Sequence, residues 1–178
     1  MEFFEKQISS SRMFSGRVIN VRCDTVELVN GKHVSREVVE HPGGVAIVPL
    51  LENGDVLMVR QYRYCVTDEL LEIPAGKLER EEDPLECAVR ELSEETGCKA
   101  GRIVPLGAMY PSPGFSQETL YIYLATDLEV GQSHPDEDEF LSVVRLPFDD
   151  IVEKILSGEI KDGKTIVGIL KAKVFLGK

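Results

Sequence analysis

The segment that most constrains the fold of this chain is residues 76–98, which read GKLEREEDPLECAVRELSEETGC. Asp83 followed by Pro84 predicts a helix start, because aspartate accepts hydrogen bonds from the first free amides and proline suits the first helical position. Glu86 would complete a capping box, and Gly97 predicts a helix end in the left-handed conformation. The sequence therefore predicts one helix over about 83–97, preceded by a loop.

This helix is predicted to carry two different faces. At about 100° per residue, one apolar stripe should face the core: Leu85, Ala88, Val89 and Leu92. Three glutamates at spacings i, i+3 and i+4 fall on a neighbouring arc, where their carboxylates converge and repel: Glu91, Glu94 and Glu95. A hard divalent cation would relieve that repulsion, since Mg²⁺ prefers carboxylates, waters and phosphates. The alternative is a solvated acidic helix face.

Composition excludes several functional classes. The net charge of −11 argues against binding nucleic acid through a basic surface. No apolar run approaches the roughly 20 residues of a membrane span, and the N-terminus lacks the features of a secretory signal. The four cysteines and three histidines are scattered, which disfavours a zinc site and is typical of free thiols in a reducing compartment. A single-domain cytoplasmic protein is expected.

The remaining sequence predicts strands before, between and after helices. Strands are expected at 14–28 and 33–40, around an Asn-Gly turn at 29–32. A second hairpin is expected from 45–51 and 55–62. Further strands are predicted at 69–73, 102–109, 119–127 and 140–146, and helices at 147–157 and 164–175. This order favours a mixed sheet sandwiched by helices.

Residues 76–98 match, position by position, the pattern G-x5-E-x7-R-E-U-x-E-E-x-G-U, in which U is a bulky apolar residue. The matching residues are Gly76, Glu82, Arg90, Glu91, Leu92, Glu94, Glu95, Gly97 and Cys98. On this pattern the chain resembles the Nudix hydrolase family. Cys98 stands where an aliphatic residue is usual. Three flanking stretches look like the ADP-ribose pyrophosphatase subgroup: VRQYR at 59–63, EIPAG at 72–76 and Ser112-Pro113-Gly114.

The resemblance implies an α+β fold, the α/β/α Nudix sandwich with a mixed β-sheet and an extra N-terminal antiparallel β region. It divides the chain into residues 1–44, for dimerisation and part of the substrate pocket, and a Nudix domain at 45–178. A homodimer is expected through the N-terminal strands. The subgroup often stacks adenine on aromatics, in places on tryptophan. This chain has no Trp, so the stacking role would fall to Phe14, Tyr62 or Tyr64.

The resemblance also implies a dependence on Mg²⁺ or Mn²⁺. Glu91 and Glu95 would be the primary metal ligands, with Glu94 in support and the carbonyl of Ala75 completing the site. Glu82 and Arg90 would pair to brace the loop and helix. Gly76 would allow a sharp turn before the helix.

Other expected site residues lie outside residues 76–98, the Nudix box. Arg63 is expected to hold substrate phosphate, with Arg36, Pro113 and Gly114 as further substrate-binding candidates. For either arginine the alternative is a surface pair with the abundant acids. The catalytic glutamate is expected in the loop at 134–139, where Glu139 matches best and Glu137 is the second choice. The neighbouring Asp136 and Asp138 are expected to be merely solvated.

The implied reaction is hydrolysis of a nucleoside diphosphate joined to a small group, with ADP-ribose as substrate and AMP and ribose 5-phosphate as products. Two alternatives stay open at this point. One is a Nudix pyrophosphatase for another nucleotide sugar or a dinucleotide. The other is a non-catalytic protein that binds ADP-ribose and regulates a partner.

Overall fold

A computed structural model describes residues 3–134 and 140–178 of the chain. The chain separates into two compact units. The N-terminal unit comprises Met1–Gly43 and Tyr110–Thr119, and the core unit comprises Gly44–Met109 and Leu120–Lys178. No helix within the described residues is both long and apolar enough to cross a membrane.

The N-terminal unit contains one antiparallel sheet in the order β1-β2-β3, from β1 (Lys6–Ser15), β2 (Asn20–Glu27) and β3 (His33–Glu40). The predicted β2–β3 hairpin is present. The prediction of one strand over 14–28 was wrong, because the chain reverses where the Gly16 amide donates to the Ile19 carbonyl. All ten residues of β1 are exposed.

The core unit contains two sheets. One has the order β10-β5-β6, from β5 (Asp55–Arg63), β6 (Asp68–Glu72) and β10 (Leu141–Pro147). The other has the order β7-β4-β9-β8, from β4 (Gly44–Pro49), β7 (Ala75–Lys77), β8 (Cys98–Met109) and β9 (Leu120–Val130). Because β4 and β9 run parallel and the other pairs antiparallel, the second sheet is mixed, as predicted.

The helices are α1 (Pro84–Thr96), α2 (Phe148–Leu156) and α3 (Gly163–Phe175). Every residue of β4 is buried, and its successive side chains point to opposite faces. Ala46 and Val48 join the apolar cluster that includes α2 and α3, whereas Val45 and Ile47 join the one that includes α1. Helices thus cover both faces of the mixed sheet, which confirms the sandwich.

The predicted hairpin of the third and fourth expected strands, 45–51 and 55–62, was wrong. β4 and β5 follow each other through a tight turn, where the Leu51 amide bonds the Asp55 carbonyl. Beyond an isolated bridge between Leu50 and Val56, however, the two strands join different sheets. Local turn signals place two strands next to each other but do not determine which partners complete each strand's hydrogen bonds.

Helix α1 begins and ends where the sequence predicts. The Asp83 carboxylate accepts from the amides of Leu85 and Glu86, and Gly97 ends the helix at φ 72°. The capping box does not form: within the described part of the chain, the Glu86 side chain makes no hydrogen bond back to the Asp83 amide.

The buried face of α1 differs from the predicted stripe. Ala88 and Leu92 are buried, but Leu85 and Val89 are 44% and 52% exposed. The buried residues instead centre on two glutamates: Cys87, Ala88, Glu91, Leu92, Glu95 and Thr96. The helix is therefore rotated about its axis so that two carboxylates face inward, an orientation that hydrophobicity alone does not favour.

Candidate active site

Two carboxylates of α1 lie against the start of β7. Glu91 is 8% exposed and Glu95 is 2% exposed. The Ala75 amide donates a hydrogen bond to Oε2 of Glu95 at 3.0 Å. The backbone of Gly76 lies directly beside the Glu91 carboxyl group. Two buried anionic groups therefore converge on Ala75 and Gly76.

Gly76 has a role other than the predicted one. It lies within β7, and its φ is not among the positive values in the chain, so no left-handed turn requires glycine there. A Cβ at this position would stand 1.8 Å from Cδ of Glu91. Glycine is required because the Glu91 carboxyl group occupies the space of a side chain.

One guanidinium, that of Arg90, is shared among three carboxylates. Nε and Nη2 bond the two carboxylate oxygens of Glu82 at 2.9 and 3.0 Å. Nη1 donates to Glu91 at 2.8 Å and to Glu94 at 2.9 Å. The hydrogen bonds from Arg90 lower the pKa of Glu82 to about 2. Hydrogen bonding to Glu82, with the charge of Glu91 adding to it, raises the pKa of Arg90.

Arg90 adds to the sequence argument that a divalent cation would relieve the repulsion among the helix glutamates. The chain supplies one positive charge itself, and the i, i+4 spacing of Arg90 and Glu94 is the signal that predicts such a pair. Across residues 3–134 and 140–178, no three His, Cys, Asp or Glu side chains form a group that could hold a metal ion. Helix α1 therefore provides two buried carboxylates, those of Glu91 and Glu95, and the third glutamate, Glu94, is not buried.

A second ion cluster surrounds Glu72, at the end of β6. Glu72 is fully buried, and it accepts from Nε and Nη2 of Arg63 at 2.8 and 2.7 Å. Lys164 of α3 also bonds Oε2 of Glu72. Burial would raise the pKa of Glu72, but the Arg63 hydrogen bonds and the Lys164 charge outweigh burial and lower it.

Arg63 lies within electrostatic reach of the α1 carboxylates. Its pKa is raised mainly by the hydrogen bonds to Glu72, with further contributions from the charges of Asp162 and Glu95. The side chain is 42% exposed, and Nη1 has no hydrogen-bond partner in the described ranges. The guanidinium is thus fixed on one side and open on the other.

Lys164 and its neighbours connect the Glu72 cluster to the start of α3. Lys164 Nζ lies 3.0 Å from Oδ1 of Asp162. Oδ2 of Asp162 caps α3, accepting from the Thr165 amide at 3.0 Å and from the Thr165 hydroxyl at 2.6 Å. The Thr165 oxygen in turn accepts from the Ile73 amide at 2.9 Å.

The remaining predicted residues lie in the N-terminal unit, at exposed positions or outside the described ranges. Arg36, in the N-terminal unit, pairs with Glu5 at 2.7 and 2.9 Å. Pro113 and Gly114 belong to the same unit, in the segment Tyr110–Thr119. Glu139, Glu137, Asp136 and Asp138 fall outside the residues that the structure describes. Three candidate stacking side chains are exposed: Phe14, Tyr62 and Tyr64.

Sequence reasoning missed Glu72, Lys164 and Thr165 as members of the site. Glu72 stands in the apolar run Leu70-Leu71-Glu72-Ile73, where a lone acid indicates either an edge or a buried ion pair. Its lysine partner is 92 residues away. No local pattern reports such a distant pairing.

Comparison with known proteins gives a consistent picture. The NUDIX domain model matches residues 40–166. The chain is 42% identical over 167 residues to a Bacillus subtilis (strain 168) protein named ADP-ribose pyrophosphatase, covering 93% of this chain and 90% of the relative. It is 40% identical over 169 residues to the methanol dehydrogenase activator of Bacillus methanolicus, covering 94% and 91%.

A solved structure described as an ADP compounds hydrolase superposes with a TM-score of 0.85. It is 22% identical and covers 97% of this chain and 94% of that one, so the likeness is one of fold. The family model spans well over half of the described chain and includes the whole of α1. This chain belongs to the Nudix family.

Proposed function

We propose that this protein hydrolyses the diphosphate bond of ADP-ribose to AMP and ribose 5-phosphate with Mg²⁺ or Mn²⁺. The observation that carries the proposal is the burial of Glu91 and Glu95 against Ala75 and Gly76. Burying two carboxylates is costly unless a positive partner compensates them. The name of the Bacillus subtilis relative supports ADP-ribose as the substrate.

The donor set suits a hard divalent cation. Mg²⁺ is usually held by one or two carboxylates together with waters and substrate phosphates, so two carboxylates are enough. Glu91 and Glu95 would hold the ion, with the Ala75 carbonyl as a third oxygen donor and Glu94 in support. Bound there, the ion would supply Lewis-acid polarisation of a phosphoryl oxygen and acidify a water.

Arg63 is the proposed phosphate-binding residue. Its two bonds to Glu72 fix the plane of the guanidinium and leave Nη1 for another anion. A guanidinium matches phosphate oxygens well and stays charged at every relevant pH. The charge of Glu95 acts on the Arg63 guanidinium, which supports a phosphate-binding cation close to the proposed metal ligands. Arg36, Pro113 and Gly114 remain weaker substrate-binding proposals.

We propose Glu139 as the group that orients or deprotonates the attacking water, with Glu137 as second choice. Both rest on the family resemblance and lie outside the described residues. A box glutamate is the alternative base. Of the box glutamates, Glu94 has the most exposed side chain, and it shares Arg90 with Glu91.

The test is mass analysis of products from the purified protein with a nucleotide panel, with and without Mg²⁺. ADP-ribose, GDP-mannose, NADH and diadenosine polyphosphates would be compared at equal concentration. The expected result is Mg²⁺-dependent release of AMP and ribose 5-phosphate, fastest from ADP-ribose. A faster reaction with another panel member would replace the substrate and keep the chemistry.

A regulatory role is the second candidate, favoured by the name of the Bacillus methanolicus relative. In that case the protein would bind ADP-ribose without turnover, or its turnover would serve to activate a partner enzyme. All glutamates of the box are present, which favours catalysis. Binding measured by calorimetry in the absence of any product would favour the regulatory reading.

We also propose that residues 1–44 form a homodimerisation region. β1 is an edge strand with ten exposed residues, including the apolar Ile8, Met13 and Phe14. An exposed edge strand with apolar side chains is a template for pairing with another chain. Sedimentation equilibrium of the protein and of Met13→Lys tests this: the variant should be monomeric, and a monomeric parent would contradict it.

A cytoplasmic location is the remaining proposal. The four cysteines are unpaired in the structure, as expected in a reducing compartment: Cys23, Cys65, Cys87 and Cys98. Cell fractionation with a tagged copy of the protein would test it.

A further inference from the structure

The start of α3 makes contacts with the active-site segment (residues 72–76) that nothing in the Nudix box predicts. This segment contains Glu72, which orients Arg63, and the two residues that meet the α1 carboxylates. Among the described residues, this stretch contacts both proposed binding groups, Arg63 and the two α1 carboxylates. The residues that hold this segment in place therefore also hold Arg63 and the two α1 carboxylates in place.

Two hydrogen bonds tie the segment to α3. The Ile73 amide donates to the Thr165 hydroxyl oxygen at 2.9 Å, and both residues are fully buried. Lys164 bonds Oε2 of Glu72, the same oxygen that accepts from Nη2 of Arg63. Asp162 orders both residues, since it accepts from Thr165 and pairs with Lys164.

Tight packing accompanies these bonds. A Cβ at Gly168, one turn along α3 from Thr165, would stand 2.6 Å from Cδ1 of Ile73. On its other side, the segment is held by β4, where the Ile47 amide donates to the Pro74 carbonyl at 2.9 Å. The segment is therefore clamped between a strand and a helix, and a small shift of α3 would displace it.

We propose that Lys164 and Thr165 are positioning residues for the active site. Thr165 holds the backbone that brings Ala75 and Gly76 to Glu95 and Glu91. Lys164 shares Oε2 of Glu72 with Arg63, and so holds the carboxylate in the orientation that keeps the Arg63 guanidinium aligned while Nη1 engages phosphate. The inference rests on the proposed function, and neither residue touches the reacting atoms.

The two residues should differ in their effects. Removing the Thr165 hydroxyl leaves the buried Ile73 amide without an acceptor, which displaces the backbone next to the cation site. Removing the Lys164 charge leaves Glu72 with Arg63 alone, which draws Arg63 further onto Glu72. Thr165→Val should weaken Mn²⁺ binding, whereas Lys164→Met should raise KM for ADP-ribose. Changes in residues behind the ligands typically cost about tenfold to a hundredfold.

The experiment compares the full chain with Thr165→Val, Lys164→Met and Lys164→Arg. Mn²⁺ binding is measured on the protein alone by electron paramagnetic resonance. The values of kcat and KM are measured with ADP-ribose and Mg²⁺. Lys154→Met is the matched control, because Lys154 of α2 also forms an ion pair, but with the exposed Glu159, which has no role in the proposed site. Lys164→Arg should restore KM toward that of the parent protein.

The outcomes separate the inference from the proposed function. Folded variants with parental Mn²⁺ affinity and parental KM would overturn the inference alone. A parent that binds Mn²⁺ but does not hydrolyse ADP-ribose would overturn the function, and weaker Mn²⁺ binding by Thr165→Val would still support the inference. A parent that binds no Mn²⁺ would overturn both. If Thr165→Val fails to fold, the KM of Lys164→Met decides, because the Lys164 side chain is not fully buried.

Discussion

The two ion clusters of the core unit are built in opposite ways. On α1, one guanidinium is shared by three carboxylates, those of Glu82, Glu91 and Glu94. At the end of β6, one buried carboxylate is shared by two cations, Arg63 and Lys164. The acidic cluster on α1 has surplus negative charge. In the basic cluster at Glu72, two cations meet one carboxylate, and Asp162 balances Lys164 from the start of α3.

This difference indicates which ligand each cluster suits. Glu91 and Glu95 are buried carboxylates on α1. Burial favours a divalent cation beside them, because water screens their charges less. An arginine fixed on one side by an acid is prepared for an anion on the other. A diphosphate with a bound divalent ion has both requirements, so the pairing of an acidic and a basic cluster within one unit favours such a substrate.

The largest expected effect comes from removing the charge of Glu95, which lies one turn after Glu91 on α1. Glu95→Gln keeps an acceptor for the Ala75 amide but removes one charge from the proposed cation site. Loss of several kcal/mol of charge stabilisation corresponds to a fall in kcat of about a thousandfold. Steady-state rates with Mg²⁺ measure it. Glu86→Gln, on the exposed side of the same helix, is the control and should retain full activity.

A smaller loss is expected from moving a carboxylate without removing its charge. Gly76→Ala would place a methyl group 1.8 Å from the Glu91 carboxyl carbon, which must then shift. Misplacement of about 1 Å costs up to roughly a hundredfold in rate, and overpacking costs about 1–3 kcal/mol of stability. Urea denaturation and kcat measure the two effects. Gly163→Ala, where an added Cβ meets no atom within 4 Å, should change neither.

The basic cluster is tested at Arg63. Arg63→Ala should raise KM for ADP-ribose by about tenfold with a smaller change in kcat, because a charged hydrogen bond to phosphate is lost. The matched control is Arg60→Ala, on the same strand, whose guanidinium pairs with the exposed Glu69. Equal KM values for the two variants would remove Arg63 from the substrate site.

The comparison also explains which parts of the molecule could be predicted from the sequence. The bounds of α1 could be predicted, because Asp83, Pro84 and Gly97 act on their immediate neighbours. The Nudix sandwich could be predicted because the box has a specific spacing. The rotation of α1 could not, because periodicity assigns Glu91 and Glu95 to a polar face, whereas the structure buries them.

Long-range contacts determine the other features that the sequence did not predict. The separation of β4 and β5 into different sheets depends on partners far along the chain, such as β9 and β10. The same holds for Glu72, whose environment depends on a lysine at the start of α3. The sequence assigned Gly76 to a sharp turn before the helix, whereas the position of Glu91 gives a different physical reason for glycine there.

The smallest expected effect tests whether Glu82 is the principal partner of Arg90. The hydrogen bonds from Arg90 lower the Glu82 pKa from its ordinary 4.5 to about 2. A lowered pKa in the folded state stabilises the fold above pH 4.5, and that contribution is lost as the pH falls from about 4.5 toward 2. Glu82→Gln should therefore be less stable than the parent by about 1 kcal/mol at pH 7, and the gap should close in acid.

Urea denaturation of both proteins at pH 7, 5 and 3 measures this gap, and acids common to both cancel in the difference. Glu69→Gln serves as the control, since the Arg60–Glu69 pair is exposed on both sides and should contribute little at any pH. A Glu82→Gln gap that stays constant down to pH 3 would mean that packing, not charge, accounts for the contribution of Glu82. Arg90 would then pair chiefly with Glu91 and Glu94. The Glu82 ion pair would no longer be the main contact that holds the guanidinium in the acidic cluster, and the contrast with the basic cluster would weaken.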